Sequence, residues 1–155
     1  SKPFSIKFLS SVLINLIQQR EALKEKYSKN SLLSTTLLSN TDADKNFIDS
    51  IEQILDKNYA DSSFSVDQFA SSAQLSRTLF YKKIKGITGN TPNNLIKTKR
   101  LNKAAELLLT ENYNVSEIAY MVGYDDPFYF SKLFKTHFKC SPSEFKEHIK
   151  AKQSE

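Results

Sequence analysis

The sequence predicts an all-α fold: two helix-turn-helix units joined by a long connecting helix, with an amphipathic helix ahead of them. Three observations predict it. The 155 residues include only three glycines, and few stretches alternate apolar and polar residues as a half-buried strand does. The stretch 64–92, FSVDQFASSAQLSRTLFYKKIKGITGNTP, repeats the design of 114–142, NVSEIAYMVGYDDPFYFSKLFKTHFKCSP. Two such copies are far harder to obtain by chance than one. Between them Leu95, Ile96, Leu101, Ala104, Ala105 and Leu108 hold one unbroken helical stripe.

Composition sets the outer bounds. Hydrophobic residues make up 39%, enough for a modest core, and no run approaches the roughly 18 apolar residues of a membrane span. No signal-peptide pattern opens the sequence. The lone Cys140 can form no internal disulfide, which fits a reducing cytoplasm. The net charge is only +5, so the placement of charge carries more information than its total.

The first 28 residues place Ile6, Leu9, Leu13, Leu16, Leu23 and Tyr27 at spacings of a helical seam, with Arg20 interrupting one slot. Such a seam suits a helix that pairs with another copy, as in a short coiled coil, or one that packs on its own domain. Residues 29–43 read as a linker: Ser, Thr and Asn dominate, and the leucines keep no period. A helix begins near Asp42 or Asp44, with Phe47, Ile48, Ile51, Ile54 and Leu55 as its stripe. It opens the main domain, expected to run over 44–150.

In the first copy Val66 and Ala70 belong to a short helix, and Ser76 can cap a second one. Phe80 and Ile84 form the inner face of that second helix; Arg77, Thr78, Tyr81, Lys82 and Lys85 form the outer. In the second copy Val115, Ile118, Ala119 and Val122 line a short helix, and Gly123 supplies the positive φ of the turn. Asp125 or Asp126 can cap the next helix, with Pro127 at its first position, where no N–H is missed. Phe130, Leu133 and Phe134 face inward there, leaving Phe128, Tyr129, Lys132 and Lys135 outward. Val66 and Ala70 match Val115 and Ala119 at an offset of 49, whereas Phe80, Ile84, Lys85 and Pro92 match Phe130, Phe134, Lys135 and Pro142 at 50. The slip falls in the turn, where an insertion costs least. Ser141 and Pro142 start a last short helix through about Ile149, and 151–155 is a tail.

Two short helices at a steep angle, the second presenting aromatics and cations, suit a major groove. Charge placement agrees. From Gln68 to Ala105 there is no acid, against eight cations: Arg77, Lys82, Lys83, Lys85, Lys97, Lys99, Arg100 and Lys103. Lys83, Lys85, Lys99 and Arg100 are expected phosphate contacts, which position a duplex without reading its sequence. Double-stranded DNA is thus the expected partner. RNA fits less well, because its deep, narrow groove admits no helix. The rival reading is a helical protein-interaction module that docks through Phe128 and Tyr129, although an interface core is usually poor in charge. Enzyme chemistry has little support. His137 and His148 lie eleven residues apart with no zinc-ligand set near them, Cys140 has no base partner and reads as a semi-buried structural thiol, and no glycine-rich phosphate loop occurs. No catalytic residue, metal or cofactor is expected.

These features resemble the AraC/XylS family of transcription regulators. The residues that carry the resemblance are the 64–92 run, RLNKAAELL at 100–108, and VSEIAYMVGYDDPFYFSKLFKTHFKCSPSEF at 115–145. The Ile-Ala-x-x-x-Gly-Tyr and Tyr-Phe-Ser-x-x-Phe-Lys elements are the specific part. The sequence departs from the family at Lys139-Cys140, where a glycine is common, and at the acidic, rigid Asp125-Asp126-Pro127 turn. The resemblance implies a homeodomain-like double helix-turn-helix whose two recognition helices enter successive major grooves about 34 Å apart. Position by position, it implies base contacts from Arg77, Thr78, Tyr81 and Lys82 in the first helix and from Phe128, Tyr129 and Lys132 in the second. The alternative for Phe128 and Tyr129 is packing within their own unit. Lys135, and the start of the last helix near Ser143, are implied phosphate contacts. Lys2-Pro3-Phe4 ahead of a helix resembles the end of a response-regulator receiver domain. Together the two resemblances imply the cytoplasmic output end of a two-component regulator, of the hybrid kind that joins sensor, kinase, receiver and output. They also imply RNA polymerase as a candidate partner, homodimerisation through the helix over 1–28, and no membrane contact by this stretch.

Overall fold

Among the described residues, the short helices open on side chains that accept from their free amides, and the turns at Gln74, Gly89, Gly123 and Lys139 each hold a residue in the left-handed region. The computed structural model describes residues 42–110 and 112–153, and every regular element among them is a helix. The expected helix over 1–28 and nearly all of the 29–43 linker lie outside the described residues.

The elements are α1 (Asp42–Asn58), α2 (Val66–Ser72), α3 (Arg77–Thr88), α4 (Pro92–Thr110), α5 (Val115–Met121), α6 (Pro127–Phe138) and α7 (Pro142–Gln153). Helix α1 starts at Asp42, inside the expected linker, with Asp42 and Asp44 in the first turn against the positive end of the helix dipole. Helix α7 runs four residues past the expected end at Ile149, to Gln153. The described residues fall into two units, 42–99 and 100–153, and the division lies inside α4.

The repeat is visible cap by cap. Ser65 and Gln68 form a reciprocal capping box on α2, and Asn114 and Glu117 form the same box on α5. The Ser76 side chain accepts from the Leu79 amide at the start of α3, and Asp126 accepts from the Phe128 amide at the start of α6, where Pro127 occupies the first turn. Thr91 accepts from the Asn94 amide ahead of α4, as Ser141 does from the Glu144 amide ahead of α7. The turns match too: the Leu75 amide donates to Ala70 O at 3.0 Å, and the Tyr124 amide to Ala119 O at 2.9 Å. The offset is 49 up to Leu75 and Tyr124 and 50 from the caps Ser76 and Asp126 onward, so the one-residue slip is Asp125.

Within 42–99 the core joins Ile51 and Leu55 of α1, Phe69 and Ala70 of α2, Phe80 and Ile84 of α3, and Leu95 and Ile96 of α4. Phe80 sits at its centre, edge-on to Phe69 at 4.7 Å and to Phe47 at 6.5 Å between ring centroids. Within 100–153 the aromatics are more numerous. Phe134 meets Phe138 at 4.6 Å, Phe145 at 5.6 Å and Phe130 at 5.9 Å, and Phe130 meets Tyr124 at 5.7 Å. Leu133, expected to face inward, is only half buried.

Candidate nucleic-acid interface

Phe80 and Ile84, four residues apart and fully buried, fix which side of α3 faces the core. Arg77, Thr78, Tyr81, Lys82 and Lys85 are consequently exposed together on the other side. Their surroundings differ. The Arg77 guanidinium donates to Asp67 Oδ1 at 3.2 Å, and Lys85 Nζ donates to the carbonyl of Gly89 at 3.1 Å. Lys83 leans back, its ammonium 4.4 Å from the centre of the Phe47 ring. Lys82 makes no ion pair among the described residues and projects as a bare cation.

Helix α6 is anchored the same way, by buried Phe130, Phe134 and Phe138. Its outer side carries Phe128, Tyr129, Lys132 and Lys135. Phe128 is 87% exposed, so its ring does not pack within its own unit. Tyr129 is intermediate between the two readings: half exposed, with its ring edge-on to Tyr124 at 6.2 Å. With Tyr129 beside it, Phe128 gives the start of α6 an exposed aromatic pair that is open to contact from outside. Lys132 and Lys135 make no ion pair among the described residues, while Asp125 and Asp126 bring two exposed carboxylates to the start of α6.

Two expected phosphate contacts are turned inward. Arg100 is only 9% exposed; its guanidinium lies 5.4 Å over the Tyr124 ring and is hydrogen-bonded to that phenol. Burial pushes the Tyr124 phenol up, and the adjacent Arg100 partly offsets this. Lys99 forms ion pairs with Asp56 and Glu52 of α1. Sequence reading missed this because the stretch free of acids is local in the chain, whereas the carboxylates come from a helix more than forty residues earlier. Lys103 likewise pairs with Glu106 at 3.5 Å. Ser143 is exposed in the first turn of α7, where helix amides lack intrahelical partners. Sequence reading also passed over Ser131, the counterpart of Tyr81 at the 50-residue offset, and Leu79, the exposed counterpart of Tyr129. Aligning the two copies residue by residue through α3 and α6 would have found both.

Cys140 is fully buried rather than semi-buried, and burial, with Glu144 adding to it, pushes its thiol up to about 11. Such a thiol is inert at neutral pH.

A family profile described as a helix-turn-helix domain matches residues 69–148. Histidine kinase P4 of Formosa agariphila is 35% identical over 145 residues, which is 94% of this chain and 11% of that protein. The lactose operon transcription activator of Staphylococcus xylosus is 35% identical over 85 residues, 55% of this chain and 30% of the activator. The chain therefore spans less than a third of either relative. Among solved structures, the C-terminal domain of AraT, a response regulator from Geobacillus stearothermophilus, superposes with a TM-score of 0.60 at 32% identity, covering 63% of this chain and 80% of that one. With the paired units, their capped outward helices and these relatives in view, the chain belongs to the AraC-type family of helix-turn-helix DNA-binding domains of transcription regulators.

Proposed function

We propose that this chain is the output domain of a two-component regulator and binds double-stranded DNA sequence-specifically, inserting α3 and α6 into successive major grooves. The observation that carries the reading is the pair of twelve-residue capped helices, each clamped from behind by two or more buried aromatic or aliphatic anchors and each presenting an exposed face. On this reading Arg77, Thr78, Tyr81 and Lys82 read one half of the operator, and Phe128, Tyr129 and Lys132 the other. Arg77 or Lys82 donates to guanine O6 and N7, and Phe128 meets thymine methyls. Lys83, Lys85, Lys135 and Ser143 hold phosphates.

The two-component context rests on two similarities. The likeness to the Formosa agariphila histidine kinase runs over 94% of the chain, so it continues well ahead of residue 42. The AraT domain comes from a protein described as a response regulator. The domain limits 44–150, the receiver-derived helix over 1–28 and its role in homodimerisation belong to the same proposal, as do a cytoplasmic location and contact with RNA polymerase. Selection of this chain on a random duplex library, followed by sequencing, tests the central reading. A bipartite motif with halves about one helical turn apart is the expected result. Binding to no duplex at all overturns it in favour of a protein-interaction module. Sedimentation with and without residues 1–28 tests the dimer; a monomer in both cases refutes it.

A further inference from the structure

We infer that Asp67, a residue with no direct part in the groove, sets the sequence selectivity of α3 by positioning the Arg77 guanidinium. The inference rests on the reading of Arg77 as a base contact. Asp67 lies in the first turn of α2, ten residues before Arg77, and its Oδ1 accepts from the Arg77 guanidinium at 3.2 Å. Both side chains are about two-thirds exposed, so neither is held by burial.

An arginine at the first position of a recognition helix has four rotatable side-chain bonds and reads guanine only when its planar fork is aimed. A carboxylate on one nitrogen restricts those rotations and leaves the other N–H groups of the fork for a base edge. The same carboxylate is a fixed negative charge beside a phosphate-facing surface. It opposes capture of Arg77 by the nearest phosphate, the sequence-independent alternative.

The internal repeat supplies a second, independent observation. The counterpart of Asp67 in the second copy is Ser116, and the counterpart of Arg77 is Pro127. The two residues are absent together. The capping box that starts the helix is kept in both copies, through Gln68 and Glu117. Each of these helices has one acid in its first turn, Asp67 in α2 and Glu117 in α5, and only in α2 does it stand one residue ahead of the capping-box position, where it meets the arginine.

The test is a four-variant cycle on the whole chain: unaltered, Asp67→Asn, Arg77→Ala and the double variant, with Asp67→Glu added. Each is profiled against every single-base variant of the selected site at fixed salt, and its Tm is recorded. An exposed ion pair sets a ceiling of about fivefold on what the positioning can contribute. Asp67→Asn is expected to lower discrimination at the Arg77 base pair by about three- to fivefold while raising affinity for random duplex. Asp67→Glu restores part of the discrimination, and Asp67→Asn has no such position-specific effect in the Arg77→Ala background. If Arg77→Ala relaxes one base pair and Asp67→Asn does not, the inference falls and the base contact stands. If Arg77→Ala relaxes none, the base contact itself is wrong. A loss of Tm with unchanged base preference would assign Asp67 a structural role only, and overturn the inference.

Discussion

Among the described residues four backbone positions sit in the left-handed region, and two of the four are glycines. The turn of the first unit has Gln74 at φ 62, where the second has Gly123 at φ 98; the end of α3 has Gly89 at φ 74, where α6 ends on Lys139 at φ 67. A side chain in that region costs roughly 1–2 kcal/mol, because Cβ crowds the following carbonyl. Glycine avoids the cost but gives up roughly 0.5–1 kcal/mol through its freer unfolded chain. Gln74→Gly should therefore stabilise the protein by about 0.5–1 kcal/mol, since Gln74 is exposed, and raise Tm by about 3–5 °C. Lys139→Gly has the same sign but a smaller gain, because it also removes a cation from the negative end of the α6 dipole. Gly89→Ala is the counter-test: an added Cβ would meet no atom within 4 Å, so the expected loss of about 0.5–1 kcal/mol is conformational alone. Urea unfolding followed by circular dichroism measures all three. If Gln74→Gly fails to raise the midpoint, or Gly89→Ala fails to lower it, the strain argument is wrong.

Lys82→Ala and Lys132→Ala should each weaken one half of the selected motif and flatten the salt dependence of duplex binding by about one counterion, read from affinity across a salt series. Arg100→Ala should lower stability by about 2 kcal/mol, by leaving the Tyr124 phenol without its charged partner, and leave the salt slope unchanged; a reduced slope would return Arg100 to the phosphate-facing surface. Cys140 is expected to resist thiol reagents at pH 8 until the protein unfolds. Its folded value of about 11 lies above the ordinary 9.0, so the folded state keeps a proton that the unfolded state loses, and stability should fall as pH rises between those values; equal slopes for native protein and Cys140→Ala would refute this.

The fold was largely legible because its signals are local. Apolar spacing placed Phe80 with Ile84 and Phe130 with Phe134, all of them buried, and Ser76 and Pro127 marked helix starts that the structure retains. The repeat made each copy a check on the other, including the one-residue slip at Asp125. The outward faces of α3 and α6 followed from the inward ones. What stayed hidden was partnership between elements. Nothing in the order of residues pairs Lys99 with Asp56 and Glu52, buries Arg100 over Tyr124 or brings Asp67 to Arg77. Charge read along the chain counts cations; only the fold says which of them face solvent.

The two copies keep one scaffold and differ where a scaffold leaves residues free. Caps, anchors and the turn hydrogen bond recur at matching positions, and any change there would cost a helix start or a core contact of about 1 kcal/mol or more. The outward positions carry no such constraint, and there the copies diverge: Arg77 against Pro127, Thr78 against Phe128, Tyr81 against Ser131. Lys82 with Lys132 and Lys85 with Lys135 are the outward pairs that persist, and none of the four makes an ion pair among the described residues. Packing does not explain that persistence, since all four are exposed. The proposed function does: if both helices enter grooves walled by the same polyanionic backbone, a cation at these positions is favoured whichever bases are read. On the proposed reading the repeated cations serve any duplex the two helices enter, Lys82 and Lys132 at base edges and Lys85 and Lys135 at phosphates, while the neighbours that diverge let the two helices read different half-sites.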